Sequence, residues 1–185
     1  MNRGNRYVLI SHCLLNVNSK VKGYALYEGV LKELVVPLIQ EGIGLFQLPC
    51  PETTFAGNLR WGMTVEQYNI PSYRRHSRLL LQPVLDQVQD DIKNGVSVLG
   101  VIGVDGSPSC GIDLTCYGYT GGQIGSNGAV EESRKNVRID SGQGIFMEEL
   151  TKMLEKQNIN IPFVAVNEDQ PEKTTWMEIR KKINL

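Results

Sequence analysis

Long hydrophobic runs are missing from this chain of 185 residues. The most extended apolar stretches, residues 96–104 and 79–81, fall far short of the roughly 20 residues a membrane helix needs, so no membrane partner is expected. The opening Met1-Asn2-Arg3-Gly4-Asn5-Arg6 is followed by only a few apolar residues, too few for a secretory signal, and the expected location is the cytoplasm. A charge bias is missing too. The 19 Lys and Arg against 20 Asp and Glu leave a net charge of −1 with both signs interspersed, which argues against nucleic acid or a membrane surface as partner. Internal repeats and low-complexity tails are absent. Cysteine is scarce, with four residues, and none forms a Cys-x-x-Cys pair or a zinc-finger spacing. Structural disulfides are rare in a reducing compartment, and a chain this long buries enough core without them. The four cysteines are therefore buried thiols, metal ligands or catalytic groups.

What is present is a pattern of alternating elements. The hydrophobic fraction of 41% and charged fraction of 21% are those of an ordinary soluble protein, expected here as a single domain over residues 1–185. Residues 7–10, 43–48, 96–104 and 161–166 are apolar and β-branched without polar alternation, as in strands buried on both faces of a parallel sheet. Between them, Tyr27, Val30, Leu31, Leu34, Val35, Leu38 and Ile39 recur at helical spacing, with Pro37 expected to kink or shorten the helix. Leu80, Leu81, Val84, Leu85, Val88 and Ile92 form a second apolar face that stops at Asn94-Gly95, with Pro83 separating its first turn or two. A third helix runs over about 144–156, and a fourth over 172–183 after Pro171. Strand–helix alternation of this kind predicts a three-layer α/β domain with right-handed crossovers. Two long connections, 51–72 and the glycine-rich 107–142, follow the second and third strands and are expected as functional loops.

Three cysteines share one topological position. Cys13, Cys50 and Cys110 each lie just past a different predicted strand, and in a parallel sheet those ends line the edge where open α/β folds bind ligands. Cys50 sits between Pro49 and Pro51, which stiffen the backbone. Cys110 lies in Gly106-Ser107-Pro108-Ser109-Cys110-Gly111, a small-residue turn whose hydroxyls and free amides could bind sulfide, phosphate or a substrate oxygen. A lone cysteine is most often a small buried hydrophobe, but three at equivalent strand ends point to a shared site. Soft thiolates select zinc, copper(I) or iron–sulfur clusters. A closed zinc site would take a fourth ligand from His12 or Cys116, whereas a three-cysteine cubane leaves one iron open. The spacing does not choose between them.

The elements Ser11-His12-Cys13-Leu14-Leu15, Pro49-Cys50-Pro51-Glu52 and Gly106-Ser107-Pro108-Ser109-Cys110-Gly111 resemble, in order and spacing, those of the thiouracil desulfurase family, formerly a domain of unknown function. Gly144-Ile145-Phe146, with the following helix and strand, is similar as well, so the resemblance covers about residues 8–169. It implies a Rossmann-like α/β domain with a mostly parallel sheet and long functional loops at its C-terminal edge. It implies a desulfidase, an enzyme that removes sulfur from a small thiolated compound. The implied cofactor is a 4Fe-4S cluster held by Cys13, Cys50 and Cys110, with the open iron binding the substrate sulfur. Glu52, Ser107 and Ser109 are the polar groups that the resemblance places nearest the chemistry. The chain departs from the family pattern at His12, at Val21-Lys22-Gly23-Tyr24, at Thr53-Thr54-Phe55-Ala56-Gly57, at Arg60-Trp61-Gly62 and at Asp105. Those positions line the pocket rather than the cluster, so the substrate is not implied to be thiouracil.

Two readings compete with the desulfidase. One is a non-catalytic zinc or iron–sulfur module that senses metal or redox state. The other is a metal-free enzyme in which Cys110, activated by surrounding amides, forms a persulfide. Among the remaining residues, Glu52 in a partly dry pocket suits acid chemistry, and His12 suits proton transfer near neutral pH. Arg60 and Trp61 are candidates for a wall against a planar ring. His76 is expected at the surface and Cys116 as a buried thiol.

Overall fold

In the computed structural model, which describes residues 4–119, 121–123, 128–169 and 176–185, the four apolar runs become β1 (Arg6–Ile10), β2 (Gly44–Gln47), β3 (Ser97–Val104) and, last in the chain, β6 (Phe163–Val166). They form one parallel sheet in the order β2-β1-β3-β6. The chain steps from β1 outward to β2, then returns past β1 to β3, so the direction of winding reverses between β1 and β3. Crevices at such reversals are where open α/β sheets bind ligands.

Strand residues alternate between the two faces of the sheet. Val8 and Ile10 join Ile102, Val104, Val164 and Val166 on one face, whereas Leu9 joins Val98 and Val101 on the other. Val98 and Val101 share a face because β3 carries one extra residue between its pairings with Tyr7 and Leu9, which resets the alternation. On the first face lie α1 (His12–Leu15), α2 (Lys32–Gln40) and α8 (Trp176–Lys182), contributing Leu14, Leu34, Leu38 and Ile179. On the second face, α5 (Pro71–Lys93) and α7 (Ile145–Lys156) supply Leu81, Leu85, Val88, Phe146 and Leu150. Each such side chain contributes roughly 1.5–3 kcal/mol by leaving water. The three-layer α/β architecture read from the sequence is the observed one.

The helices differ from the sequence reading in their bounds. α2 starts at Lys32, so Tyr27 and Val30 precede it, and Ile39 is exposed rather than core. α5 runs unbroken from Pro71 through Pro83. Pro71 opens the helix, where a missing amide costs nothing, and Pro83 lies on the solvent side, where water can satisfy the carbonyl it frees. The start expected after Pro171 lies outside the described residues.

The long connections carry structure of their own. The first holds α3 (Pro51–Ala56) and α4 (Val65–Tyr68). The second holds β4 (Leu114–Tyr117) and β5 (Arg138–Ser141), an antiparallel ribbon, with the short α6 (Ala129–Lys135) between them. Glycine governs how the second connection leaves β3. A Cβ at Gly103 would meet the Cys110 carbonyl oxygen at 2.5 Å, and one at Gly144 would meet the Ser109 backbone at 2.4 Å. The 106–111 turn is thus clamped backbone to backbone between β3 and the start of α7.

Candidate functional site

The cysteines follow the ends of three adjacent strands. Ile10 pairs with Gln47 and with Ile102, so β1, β2 and β3 finish on one edge. The ladder continues past them: Leu48 N–H donates to the Ile10 carbonyl at 2.8 Å and Ser11 N–H to the Ile102 carbonyl at 3.0 Å. Cys13 therefore enters on the first turn of α1, and Cys50 caps the N-terminus of α3. Cys110 ends a turn in which the Ser107 hydroxyl accepts from the amides of Ser109 (3.3 Å) and Cys110 (3.0 Å). Ser109 and Pro108 carbonyls accept from the first three amides of α7, which satisfies donors that a helix start leaves unpaired.

These side chains act on one another. Burial pushes the Cys13 thiol up to about 12; Lys20 pulls it down, while Glu168, Cys50 and Glu52 push it further up. Burial likewise raises Cys110 well above an ordinary thiol, with Cys13, Cys50 and Glu52 adding to the rise and Ser11 opposing it. Cys50 receives two donors at its sulfur from one residue. Its Sγ accepts from Thr53 N–H at 3.4 Å and from Thr53 Oγ1 at 3.2 Å. The three thiols and Glu52 thus share one electrostatic neighbourhood, and Cys116 is not among the groups that shift Cys13 or Cys110.

Glu52, in the first turn of α3, is ion-paired through Oε2 to Nε of Arg60 at 3.1 Å. Arg60 is buried, bonding inward to the α3 turn and to Ser19, whereas Trp61 is 73% exposed. The two do not form a common wall for a planar ring. Ser109 is fully buried, with Oγ 2.7 Å from the Tyr73 hydroxyl. Ser107 is occupied in holding its own turn, so the amides of Ser109 and Cys110 expected to be free are taken. His12 Nδ1 lies 2.9 Å from the Gln47 amide nitrogen, and burial lowers its pKa. His76 is half-buried against the Thr54 hydroxyl at 2.8 Å rather than free at the surface.

Three features escaped the sequence reading. Glu168 is buried two residues past β6, ion-paired with Lys20 and 2.5 Å from the Tyr27 hydroxyl, which also lies 3.0 Å from the Cys13 carbonyl. Its place past a strand end, like that of the cysteines, was the available signal. The other two are the buried hydroxyls of Ser11 and Tyr68, which close no well-formed hydrogen bond and interact only weakly with the Cys110 sulfur and the Glu52 carboxylate that they face. Ser11 faces Cys110, and Tyr68 faces Glu52, whose charge adds to burial in raising its pKa. No signal in the sequence marks them. Poorly bonded buried hydroxyls are costly, and these two border the thiols and Glu52, although Ser77 Oγ in α5 and Gln157 Oε1 just past α7 are also without partners, so the feature is not confined to this edge.

Among the described residues, no group of three or more His, Cys, Asp or Glu side chains is arranged to hold a metal ion. The donor set still fits an iron–sulfur cluster: three soft thiols just past strand ends, one sulfur already accepting two hydrogen bonds, and a buried hydroxyl facing another. A cleft of about 580 Å³ lies nearby against α8, lined by Asp105, Asp113, Asn167 and Lys181, and no cysteine borders it.

Comparison with known proteins gives two matches. An uncharacterized protein of Methanocaldococcus jannaschii, MJ0003, is 30% identical over 181 residues, covering 98% of each chain. A solved structure described as a [4Fe-4S]-dependent thiouracil desulfidase, TudS, superposes with a TM-score of 0.50 at 19% identity, over 91% of this chain and 94% of its own. That likeness is one of fold. No protein-family model matches the chain.

Proposed function

The chain belongs to the family of the Methanocaldococcus jannaschii protein, and from its site we propose that it is an iron–sulfur-dependent desulfidase that removes sulfur from a small thiolated compound. The observation that carries this reading is the placement of Cys13, Cys50 and Cys110 past the ends of three adjacent strands on one edge of the sheet, with Glu52 two residues after Cys50. These three thiolates would hold a 4Fe-4S cluster. A cubane spreads its ligands around a core several atoms wide, a different arrangement from a single-ion site. Bound in this way, the cluster supplies one iron without a protein ligand as a Lewis acid for the substrate sulfur. The fold likeness to a thiouracil desulfidase agrees with this reading.

The chain's own residues then have distinct tasks. Glu52 holds and moves a proton beside the sulfur that departs, with Arg60 fixing one of its oxygens. Ser109 and Tyr73 form a buried hydroxyl pair next to Cys110, and Ser107 fixes the turn that presents it. A metal-free persulfide mechanism at Cys110 draws no support from its turn, whose Ser109 and Cys110 amides are already bonded to Ser107 and are not free to activate the thiol.

The test is anaerobic purification with iron and sulfide quantification, followed by sulfide release from thionated bases, thioamides and small thiols. Iron with stoichiometric sulfide is expected; zinc alone overturns the assignment. Glu52→Gln should keep iron and sulfide at wild-type levels and lose about 10²–10⁴-fold in sulfide release. Undiminished turnover removes Glu52 from the mechanism, and failure to load the cluster makes it a structural residue.

A further inference from the structure

We propose that Arg60 is a positioning residue that turns the Thr53 hydroxyl proton onto the Cys50 sulfur while holding Glu52, so that one side chain sets both a cluster ligand and the proton-moving carboxylate. The proposal rests on the reading of these cysteines as a cluster site. Leu59 and Trp61 are 95% and 73% exposed, yet Arg60 between them is 8% exposed. The loop turns inward at this one residue. Burying a guanidinium is costly unless its donors are paired. Here Nε donates to Glu52 Oε2 at 3.1 Å, Nη1 to Thr53 Oγ1 at 3.3 Å and to the Gly57 carbonyl at 3.1 Å, and Nη2 to the Ser19 carbonyl at 2.7 Å.

The consequence falls on Thr53. Its hydroxyl has one proton and two acceptors in reach, the Ser19 carbonyl and Cys50 Sγ, both at 3.2 Å. Arg60 weights the choice. Nη2 already occupies the Ser19 carbonyl with the shorter bond, and Nη1 approaches the hydroxyl oxygen, leaving its proton for the sulfur. With Thr53 N–H at 3.4 Å, Cys50 Sγ then receives two donors from one residue. Pro51 has no amide proton to offer, so the turn depends on Thr53 for them. A lysine at position 60 would keep the charge but not the fork that reaches Glu52, Thr53 and Ser19 together.

The experiment compares anaerobically reconstituted wild type, Thr53→Ser, Thr53→Val, Arg60→Lys and the Thr53→Val/Arg60→Lys double variant. The readouts are iron and sulfide per chain and the reduction potential. Hydrogen bonds to ligand sulfur raise cluster potentials. Thr53→Val should therefore retain the cluster at lower potential, and Thr53→Ser should match wild type. Arg60→Lys should shift the potential in the same direction, and the double variant no further than Thr53→Val alone, because the two residues act through one bond. An unchanged potential in Arg60→Lys, or a double variant whose shift is the sum of the two, overturns the proposal. A second readout uses metal-free wild-type protein: the Arg60 Nε–H nuclear magnetic resonance should exchange slowly with water and move in Glu52→Gln. Rapid exchange overturns the tether even where Arg60→Lys does not fold. Wild-type protein that takes up no iron or sulfide defeats the cluster reading instead, and the Nε–H signal then decides the Arg60 tether by itself.

Discussion

Two charged regions of the molecule are built on opposite terms. Where α5 packs on α7, Arg74 bonds Glu149 at 2.6 Å and Glu148 at 2.7 Å, Arg78 bonds the second Glu149 oxygen at 2.7 Å, and Lys152 reaches Glu148. Both oxygens of both carboxylates have donors, and the network closes on itself. At the C-terminal edge of the sheet, burial raises the Cys13 and Cys110 thiols, with Cys50 and Glu52 adding to both, and the buried Ser11 and Tyr68 hydroxyls close no well-formed hydrogen bond. The first region holds helices in register. The second gathers buried groups that the protein itself satisfies less completely, a pattern common at functional sites.

The sharpest way to break this contrast is to delete a thiol on each side of the proposed site boundary. Cys110→Ala should abolish iron and sulfide uptake and all sulfide release. Cys116→Ala should leave iron content unchanged, because that residue sits in β4, where burial and Glu66, rather than the other thiols, raise it. Equal iron loss in both variants would replace the three-cysteine site with a four-cysteine one.

The structural region should respond in stability rather than loading. Glu149 is pushed up by burial, but Arg78 and Arg74 outweigh this and hold its carboxyl below the usual range. A carboxylate so depressed contributes stability above its unfolded pKa, and that contribution is lost as pH falls through the lower folded value. Glu149→Gln should cost about 1–3 kcal/mol at pH 7 by denaturant melting, with iron content intact. The gap from wild type should narrow below about pH 4, near the unfolded carboxyl value. A gap independent of pH would mean that packing, not charge, fixes this interface.

The same contrast explains what was legible in the sequence. Continuous apolar runs read correctly as parallel strands, although β2 lies at the sheet edge and is only partly buried, and the three cysteines were visible because each follows one of those runs. Periodicity could not set the start of α5, because Tyr73 and Ser77 carry its buried face where the sequence is otherwise polar. It missed β4 and β5 because β5 is exposed throughout and offers no apolar pattern. Arg60 read as half of a wall for a planar ring because Trp61 follows it; its burial follows from Glu52, Thr53 and Ser19, partners set by tertiary structure. Ser11 and Tyr68 were invisible for a related reason, since a missing partner has no sequence signature.

The smallest expected effect tests those unpartnered groups directly. A buried hydroxyl without a hydrogen bond carries its desolvation cost uncompensated, about 1–3 kcal/mol. Tyr68 is 1% exposed, and its hydroxyl faces Glu52 without closing a well-formed hydrogen bond, so most of that cost stands. Its ring stacks on Tyr73 with centroids 4.3 Å apart, a contact that phenylalanine preserves. Tyr68→Phe should therefore leave the metal-free protein as stable as wild type, or up to about 1 kcal/mol more stable. Tyr73→Phe is the internal control. It removes a hydroxyl bonded to Ser109 at 2.7 Å and strands a buried partner, so it should cost about 1 kcal/mol. Both variants keep the aromatic packing, which leaves hydrogen-bond satisfaction as the difference between them. Equal losses in the two melts would show that Tyr68 is satisfied in the metal-free state, and the edge of the sheet would then be less open than the α5–α7 comparison implies.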